Sequence, residues 1–280
     1  MKYSLIYYIL AYVFNNIKHP QNFIKFLQFG LFFLFIKRPL IKPAELSGHR
    51  MFIDINSHAD RNIFFNGTVD VDLVTFLKKR LQTGSVFFDI GANSGFFSLI
   101  ASKIIKNGSI HAFEPVPAVY KNLLESSLVN SINNIQVNNI CLSNKTGFTP
   151  FYVSYNSDVS SIKKNSNIKK EKKIKVKTLT LLDYCKKNAI KKIDIIKIDT
   201  EGSEKNILFP SGSILKKFKP MLIVEFSNKN AKAFDYHPNE VYDFLVKIGY
   251  KIYSFKNGKL SKQKKLNYYS DNLYCLYGKN

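Results

Sequence analysis

Residues 86–97 read VFFDIGANSGFF, and this stretch decides the fold. An apolar run ends in Asp89, and a loop bounded by Gly91 and Gly95 then leads into a second apolar run. Glycine lets the backbone take positive φ and approach a ligand closely, and the start of a helix offers unpaired amides. The pattern predicts a strand, a ligand-binding loop and a helix. The alternative is a strand-to-helix turn that binds nothing.

The spacing of the glycines narrows the class of ligand. Three residues separate Gly91 from Gly95, whereas a dinucleotide loop reads G-x-G-x-x-G and a P-loop continues with Gly-Lys-Ser/Thr. The next strand-like string, IHAFEP, ends in Glu114, one strand–helix–strand unit after Asp89. A carboxylate there can accept both hydroxyl hydrogens of a ribose, which favours a ligand that contains adenosine. Otherwise Glu114 is an acid that only faces water.

The segments after Gly84 alternate between strand-like and helix-like patterns, which predicts a mostly parallel sheet with helices on both faces. Because residues 256–272 are too polar and too weakly periodic for a crossover helix, we expect the final two strands to form an antiparallel hairpin. Predicted strands cover residues 85–90, 109–113, 135–140, 148–154, 174–177, 193–198, 221–226, 251–255 and 273–277, and predicted helices cover residues 69–81, 96–105, 118–130, 179–187, 204–216 and 239–248.

A third motif, IIKIDTEGSE at residues 195–204, runs from an apolar strand into alternating charges. In open α/β sheets ligands bind beyond the carboxyl ends of the strands, so Lys197, Asp199 and Glu201 should meet the other strand-end acids in one cleft. Asp199 or Glu201 is a candidate general base, with Lys197 restraining their charge or orienting the substrate oxygen. The alternative is that Asp199 caps the next helix while Glu201 and Glu204 flank its positive end. Glu225 ends a further strand, and the sequence leaves open whether it belongs to the site or has only a structural role.

The domain organisation follows from composition. Residues 1–48 form an extension with apolar stretches at 3–14 and 23–36, each short of the roughly 20 residues that span a bilayer. We expect helices that lie in an anionic membrane interface or pack on the domain. Residues 49–280 form one domain, with a small β lead-in at about 50–66 and a Lys-rich loop at about 156–173 that is a lid or a solvated loop.

The chain carries a formal net charge of +22 and has a pI near 9.7. Clustered lysine attracts polyanions, but a lysine-rich composition without a binding role is the alternative. Three cysteines without a C-x-x-C pair predict free thiols and no metal site, which suits a cytoplasmic protein.

In combination, the strings VFFDIGANSGFFS, HAFEPVPAVYKNLLESSLVN, VKTLTLLDYC, IDIIKIDTEGSEKNIL and PMLIVEFS resemble the FkbM family of class I S-adenosylmethionine-dependent methyltransferases. The resemblance covers about residues 50–255. It implies a Rossmann-like, seven-stranded, mostly parallel sheet with a reversed last strand, S-adenosylmethionine as the cofactor, and O-methylation of a hydroxyl on a sugar, glycan or related small molecule.

The family motif carries over residue by residue. One local departure, ESSLVN at residues 125–130, lacks an Asn that the family often has and touches no catalytic position. The match assigns the cofactor loop to Asp89, Gly91, Asn93 and Gly95, the ribose acid to Glu114, and the signature after the fourth strand to Asp199, Glu201 and Gly202.

Two other functions remain open. An RNA ribose O-methyltransferase is favoured by the charge, although the chain lacks the Pro-Pro motif of amino-methylating enzymes and the Pro-Cys nucleophile of cytosine C5 enzymes. A membrane-tethered, non-catalytic binding module is the second, and the retained charged residues argue against it. We expect a small-molecule or glycan acceptor, with nucleic acid less favoured, and a cytoplasmic protein that is peripheral on the membrane if residues 1–41 bind lipid.

Overall fold

The computed structural model describes residues 40–44, 48–54, 57–154, 160–163 and 171–278. Most of the predicted N-terminal extension, and with it the interfacial-helix hypothesis, lies outside these ranges. Within them no helix is long and apolar enough to cross a bilayer.

Thirteen strands and nine α-helices make up the described residues. The strands are β1 (Leu40–Ala44), β2 (His49–Ile53), β3 (Val86–Ile90), β4 (Ser109–Phe113), β5 (Ile135–Asn138), β6 (Cys141–Leu142), β7 (Gly147–Ser154), β8 (Glu171–Leu179), β9 (Ile195–Ile198), β10 (Met221–Ser227), β11 (Tyr250–Lys256), β12 (Lys259–Lys262) and β13 (Ser270–Tyr277). The helices are α1 (His58–Asn66), α2 (Val71–Arg80), α3 (Phe96–Ile104), α4 (Pro117–Val129), α5 (Leu181–Lys187), α6 (Glu204–Leu208), α7 (Gly212–Phe218), α8 (Asn228–Ala233) and α9 (Pro238–Lys247).

The main sheet has the order β12-β11-β13-β10-β9-β3-β4-β5. Strands β3, β4, β5, β9 and β10 pair in parallel, and β13 runs antiparallel to both β10 and β11. The Rossmann-like α/β fold with a reversed last strand is therefore confirmed. The sheet has eight strands where seven were expected, because a turn at Asn257 and Gly258, with φ of 51° and 77°, folds β12 back onto β11.

The central strands are buried on both faces, which explains their uninterrupted apolar sequences. Phe88 and Ile196 face a core that includes Tyr184 of α5 and Leu245 of α9. Their neighbours Phe87 and Ile195 point to the opposite core, formed with α2 and α3. Successive side chains of each strand thus point to opposite faces of the sheet, and each face packs against its own layer of helices.

The predicted β lead-in is only half right. Strand β2 ends at Ile53, and residues 58–66 form helix α1. The Ser57 side chain accepts from the Asp60 amide and starts the helix, while Gly67, with φ of 72°, ends it. Asn66-Gly67, interpreted as a strand turn, is a helix C-terminus.

Two further boundaries differ from the prediction. The helix expected at 204–216 is interrupted by a 3₁₀ turn, Phe209–Ser211, because Pro210 lacks the amide that a continuous helix needs. Strand β8 begins at Glu171, so the inserted loop is shorter than 156–173, and its residues 155–159 and 164–170 lie outside the described ranges. Strands β7 and β8 join β6 in a separate sheet of order β6-β8-β7.

Candidate active site

The carboxyl ends of four neighbouring parallel strands, β4, β3, β9 and β10, form one edge of the main sheet. Asp89 on β3 pairs directly with Lys197 on β9. Glu114 follows β4, Asp199 follows β9, and Glu225 lies near the end of β10. The fold thus brings the sequence-predicted site residues to one edge, as the strand-end argument requires.

The glycine loop is shaped by contacts within the protein. Gly91, Asn93 and Gly95 all have positive φ, at 76°, 50° and 91°. A Cβ on Gly91 would lie 1.8 Å from the Asp199 carbonyl oxygen, and one on Gly95 would lie 2.0 Å from Leu123 Cδ1. Glycine is therefore required here for packing against the next strand end and against α4, in addition to any ligand. Gly95 begins α3 and supplies no side-chain cap to its amides.

Glu114 is held in place by the main chain. Its Oε2 accepts a hydrogen bond from the Asn93 amide at 3.1 Å, and its Oε1 accepts one from the Val116 amide at 2.8 Å. Burial raises the pKa of Glu114 to about 7, because loss of water disfavours the charged form more than these two amides favour it. Each oxygen keeps acceptor capacity for another donor.

Asp89, Lys197 and Asp199 form a chain of charges beneath the loop. The Lys197 ammonium lies 3.6 Å from Asp89 Oδ1 and 3.4 Å from Asp199 Oδ2, and Ser98 donates to Asp89 Oδ2 at 2.7 Å. Burial by itself would lower the pKa of Lys197, but the charges of Asp199 and Asp89 outweigh it and the pKa is raised. The lysine is therefore a buried cation.

Exposure separates the members of this chain. Asp89 has no exposed surface and Lys197 almost none, whereas the side chain of Asp199 is 36% exposed. In this conformation neither Asp89 nor Lys197 presents an atom to the cleft, which differs from the direct contacts expected of them. Asp89 instead accepts a hydrogen bond from Ser98 of α3, and Lys197 lies against Asp199.

A second group of carboxyls lies on the other side of Asp199. The Asn230 amide nitrogen donates to Glu201 Oε2 at 2.9 Å and to both oxygens of Glu225 at 3.1 Å. Burial, followed by the charges of Asp199, Glu204 and Glu201, raises the pKa of Glu225 to about 9. The cluster therefore favours the neutral form of Glu225 at neutral pH.

Glu204 fixes the turn that carries Glu201. Its Oε1 accepts from the amide and the hydroxyl of Thr200, both at 2.9 Å, and its Oε2 accepts from the Tyr236 hydroxyl at 3.1 Å. The N-cap of α6 is Ser203, so the alternative in which Asp199 caps this helix is wrong. Glu201 has a φ of 55°, in a turn that this buried acceptor holds closed.

Several residues that support the site carry no signal in the sequence. Asn230 lies on α8, which was not predicted, and Ser98 is an ordinary helix residue in the sequence. Ser94 of the glycine loop donates to Asp60 Oδ1 at 2.5 Å, and the Asp54 amide donates to Asp60 Oδ2 at 2.7 Å. Asp60 thereby ties α1 to the loop, and no spacing in the sequence signals that contact.

The described part of the inserted loop reaches across to the acid cluster. Ser161 forms a bridge with Tyr152 of β7, while the Lys163 ammonium pairs with Asp235 and lies 5.6 Å from the centre of the Phe234 ring. A Cβ on Gly202 would lie 2.7 Å from that ring. Residues 160–163 thus connect the small sheet with the segment that borders Glu201.

Comparison with known proteins identifies the family. The model of the methyltransferase FkbM domain matches residues 89–252, more than half of the chain. Among proteins with curated descriptions, none matches.

Several solved structures are similar at low identity. A methyltransferase FkbM from Methylobacillus flagellatus is 16% identical, with 70% of this chain and 44% of that chain covered and a TM-score of 0.40. A precorrin-6y C5,15-methyltransferase from Geobacter metallireducens is 15% identical, covering 75% and 87%, with a TM-score of 0.41. An O-methyltransferase from Bacillus cereus in complex with SAH is 10% identical, covering 75% and 82%, with a TM-score of 0.43.

The family match includes the strand-end motif at Asp89, Glu114 and the Asp199–Gly202 turn, which the fold gathers at one sheet edge. The chain therefore belongs to the methyltransferase FkbM domain family and is an S-adenosylmethionine-dependent methyltransferase.

Proposed function

We propose that this protein methylates a hydroxyl oxygen on an uncharged sugar, glycan or related small molecule. The observation that carries the proposal is the carboxylate of Asp199, partly exposed at the strand ends and backed by a buried lysine at 3.4 Å. A hydroxyl substrate loses its proton when its oxygen is methylated. A carboxylate within hydrogen-bond reach of that hydroxyl can take up the proton.

The residues around the loop fit the two ends of S-adenosylmethionine. Each carboxylate oxygen of Glu114 accepts one hydrogen bond from a backbone amide. Each oxygen can accept a second hydrogen bond from a ribose hydroxyl. The first amides of α3 have no side-chain cap and suit the carboxylate of the methionine end. We assign Gly91, Asn93 and Gly95 to the surface of this site and Asp89 to its support from below.

The bound cofactor supplies a methyl group on a sulfonium, which an oxygen nucleophile can attack. Asp199 is proposed to take the hydroxyl proton as the general base. Lys197 cannot reach the cleft and acts as a positioning residue that holds Asp199 and balances its charge. Glu201, fixed by Asn230 at 2.9 Å, orients the acceptor through a further hydrogen bond.

The charges of this edge favour a neutral acceptor. The negative charges of Asp199, Glu204 and Glu201 lie close enough to raise the pKa of Glu225. Such a cluster repels a phosphate brought into the cleft, although the protein as a whole carries +22. The negative charge of this edge supports a sugar or small-molecule hydroxyl as the substrate over the ribose of an RNA strand.

The test is transfer of labelled methyl groups to fractionated glycans, small molecules, lipids and RNA from the cells that make the protein. We expect label in a neutral, nuclease-resistant fraction and its release as a methyl ether of a sugar. Label that nuclease converts to mononucleotides would replace this proposal with RNA ribose methylation. An Asp199→Asn preparation serves as the background control.

A further inference from the structure

The small sheet β6-β8-β7 has one buried and one exposed face. Its inner face packs Phe151 and Val176 against Val116 at the start of α4. Its outer face is formed by three directly opposed pairs of β7 and β8, and we call these six residues the lysine face. They are Phe148 with Lys177, Pro150 with Lys175, and Tyr152 with Lys173.

The lysine face is strongly basic and carries an exposed aromatic ring. Residues 141–154 and 171–179 contain five lysines and one acid, Glu171. Lys173, Lys175 and Lys177 are exposed and project from the same side of β8 at intervals of roughly 7 Å. Phe148 is 62% exposed and lies beside these lysines.

We propose that the lysine face docks on an anionic lipid bilayer. A surface of about 14 Å that combines lysines with one protruding ring fits the boundary between headgroups and acyl chains, where the ring inserts and the ammonium groups stay at the phosphates. Each lysine near an anionic leaflet adds attraction, and the one acid in strands β6, β7 and β8 is Glu171, the first residue of β8.

Nucleic acid is the other polyanion that such a face could attract, and the geometry disfavours it. Single strands bind by stacking bases on exposed aromatic rings. The Lys175 ammonium lies 4.9 Å from the centre of the Phe148 ring and already occupies its face. Among the six residues of the lysine face only one ring, Phe148, is largely exposed, and Tyr152 is half-buried, so the face lacks a row of rings on which successive bases could stack.

Helix α4 connects the small sheet with the hairpin that follows the N-terminal extension. The hairpin β1–β2 is tied to the C-terminal end of α4 by Arg50, whose guanidinium donates to the Val129 carbonyl at 2.8 Å. The small sheet packs on the other end of the same helix. The sequence before β1, rich in aromatic and lysine residues, therefore enters the described fold beside the same helix as the lysine face.

The test measures binding of the full chain to vesicles of equal parts phosphatidylglycerol and phosphatidylcholine. One variant combines Lys173→Glu, Lys175→Glu and Lys177→Glu. Its control combines Lys186→Glu, Lys191→Glu and Lys216→Glu, three lysines that are also exposed. Both variants lower the net charge by six, from +22 to +16. Because one lysine contributes about fivefold to binding, we expect about a 100-fold loss in the first variant and less than about fivefold in the control.

A further variant and two further measurements separate lipid binding from the alternatives. Phe148→Ser should weaken binding about tenfold by removing the inserted ring. Equal binding of wild type and lysine-face variant, or no binding of either, overturns the proposal. Tight binding of a single-stranded RNA, lost in the same variant, replaces the bilayer with nucleic acid. The result does not depend on the proposed acceptor, since cofactor binding by calorimetry should be unchanged in all these variants.

Discussion

The two halves of the active-site edge hold their carboxyls in different ways. On the cofactor half, Glu114 is anchored by two backbone amides, and the loop beside it is fixed by glycine packing. On the acid half, Asp199 is held by Lys197, and Glu201 and Glu225 share Asn230. The first arrangement depends on the path of the chain and the second on individual side chains, so a single substitution should disturb the second far more.

The largest effect is expected from Asp199→Asn. The amide cannot accept the hydroxyl proton, so kcat should fall by about 100- to 10,000-fold while the Kd for S-adenosylmethionine changes less than about threefold. Single-turnover transfer and calorimetry measure the two quantities. Asp243→Asn, at an exposed ion pair on α9, is the control. Equal losses in transfer and in cofactor affinity would show that Asp199 belongs to the cofactor half.

Lys197→Met should cost about 3–5 kcal/mol in the free energy of unfolding, because it leaves the buried Asp89 without its counter-charge. Urea denaturation measures it. The exposed pair of Lys256 and Asp271 gives the control, and Lys256→Met should cost less than about 1 kcal/mol. Adding Asp89→Asn to Lys197→Met should restore part of the loss. A double variant less stable than the single one would contradict the paired-charge account.

Glu114→Ala should weaken cofactor binding about 10- to 100-fold, as expected when hydrogen bonds to a charged acceptor are lost. The raised pKa, about 7, also predicts a pH dependence. Hydroxyl donors favour the ionised carboxylate, so the affinity of the wild type should fall as the pH drops below 7. Calorimetry between pH 6 and 8 checks this, and Glu114→Gln should show a flat profile. A wild-type affinity that is constant over this range would contradict the ribose role.

The smallest effect concerns Glu225, whose pKa is raised to about 9. Between its ordinary pKa and 9 the folded state binds more protons than the unfolded state, so the stability that this residue contributes is lost as the pH rises. Glu225→Gln resembles the protonated form and should flatten the decrease in unfolding free energy between pH 7 and 9. The exposed Glu125→Gln serves for comparison. An unchanged slope in Glu225→Gln would show that the proton resides elsewhere in the cluster.

The sequence predicted the cofactor half better than the acid half for a physical reason. Asp89, the glycines and Glu114 follow strands at fixed distances along the chain, so local spacing reports their positions. Asn230 meets Glu201 across 29 positions, and Asp60 meets Ser94 across 34. Such contacts depend on how helices pack after the sheet has formed, which no local periodicity encodes.

The errors in the fold have similar causes. The alternation of Met51, Ile53 and Ile55 does not continue into residues 58–66, which the Ser57 cap and the left-handed Gly67 make a helix. Pro210 divides the helix expected at 204–216. In each case a local capping residue or proline outweighed the hydrophobic pattern. Both signals are visible in the sequence, but the sequence does not indicate which of them determines the structure.

The added strand β12 has a consequence for how molecules of this protein behave at high concentration. Without it, the seven-residue β11 would expose a row of unpaired amides and carbonyls on which a strand of another chain could add. Strand β12 covers part of that row and presents a four-residue edge that includes Lys259 and Lys262. At the opposite end the sheet terminates in β5, which is equally short. Both margins are thus poor templates for intermolecular β-pairing, which helps to keep a large open sheet monodisperse.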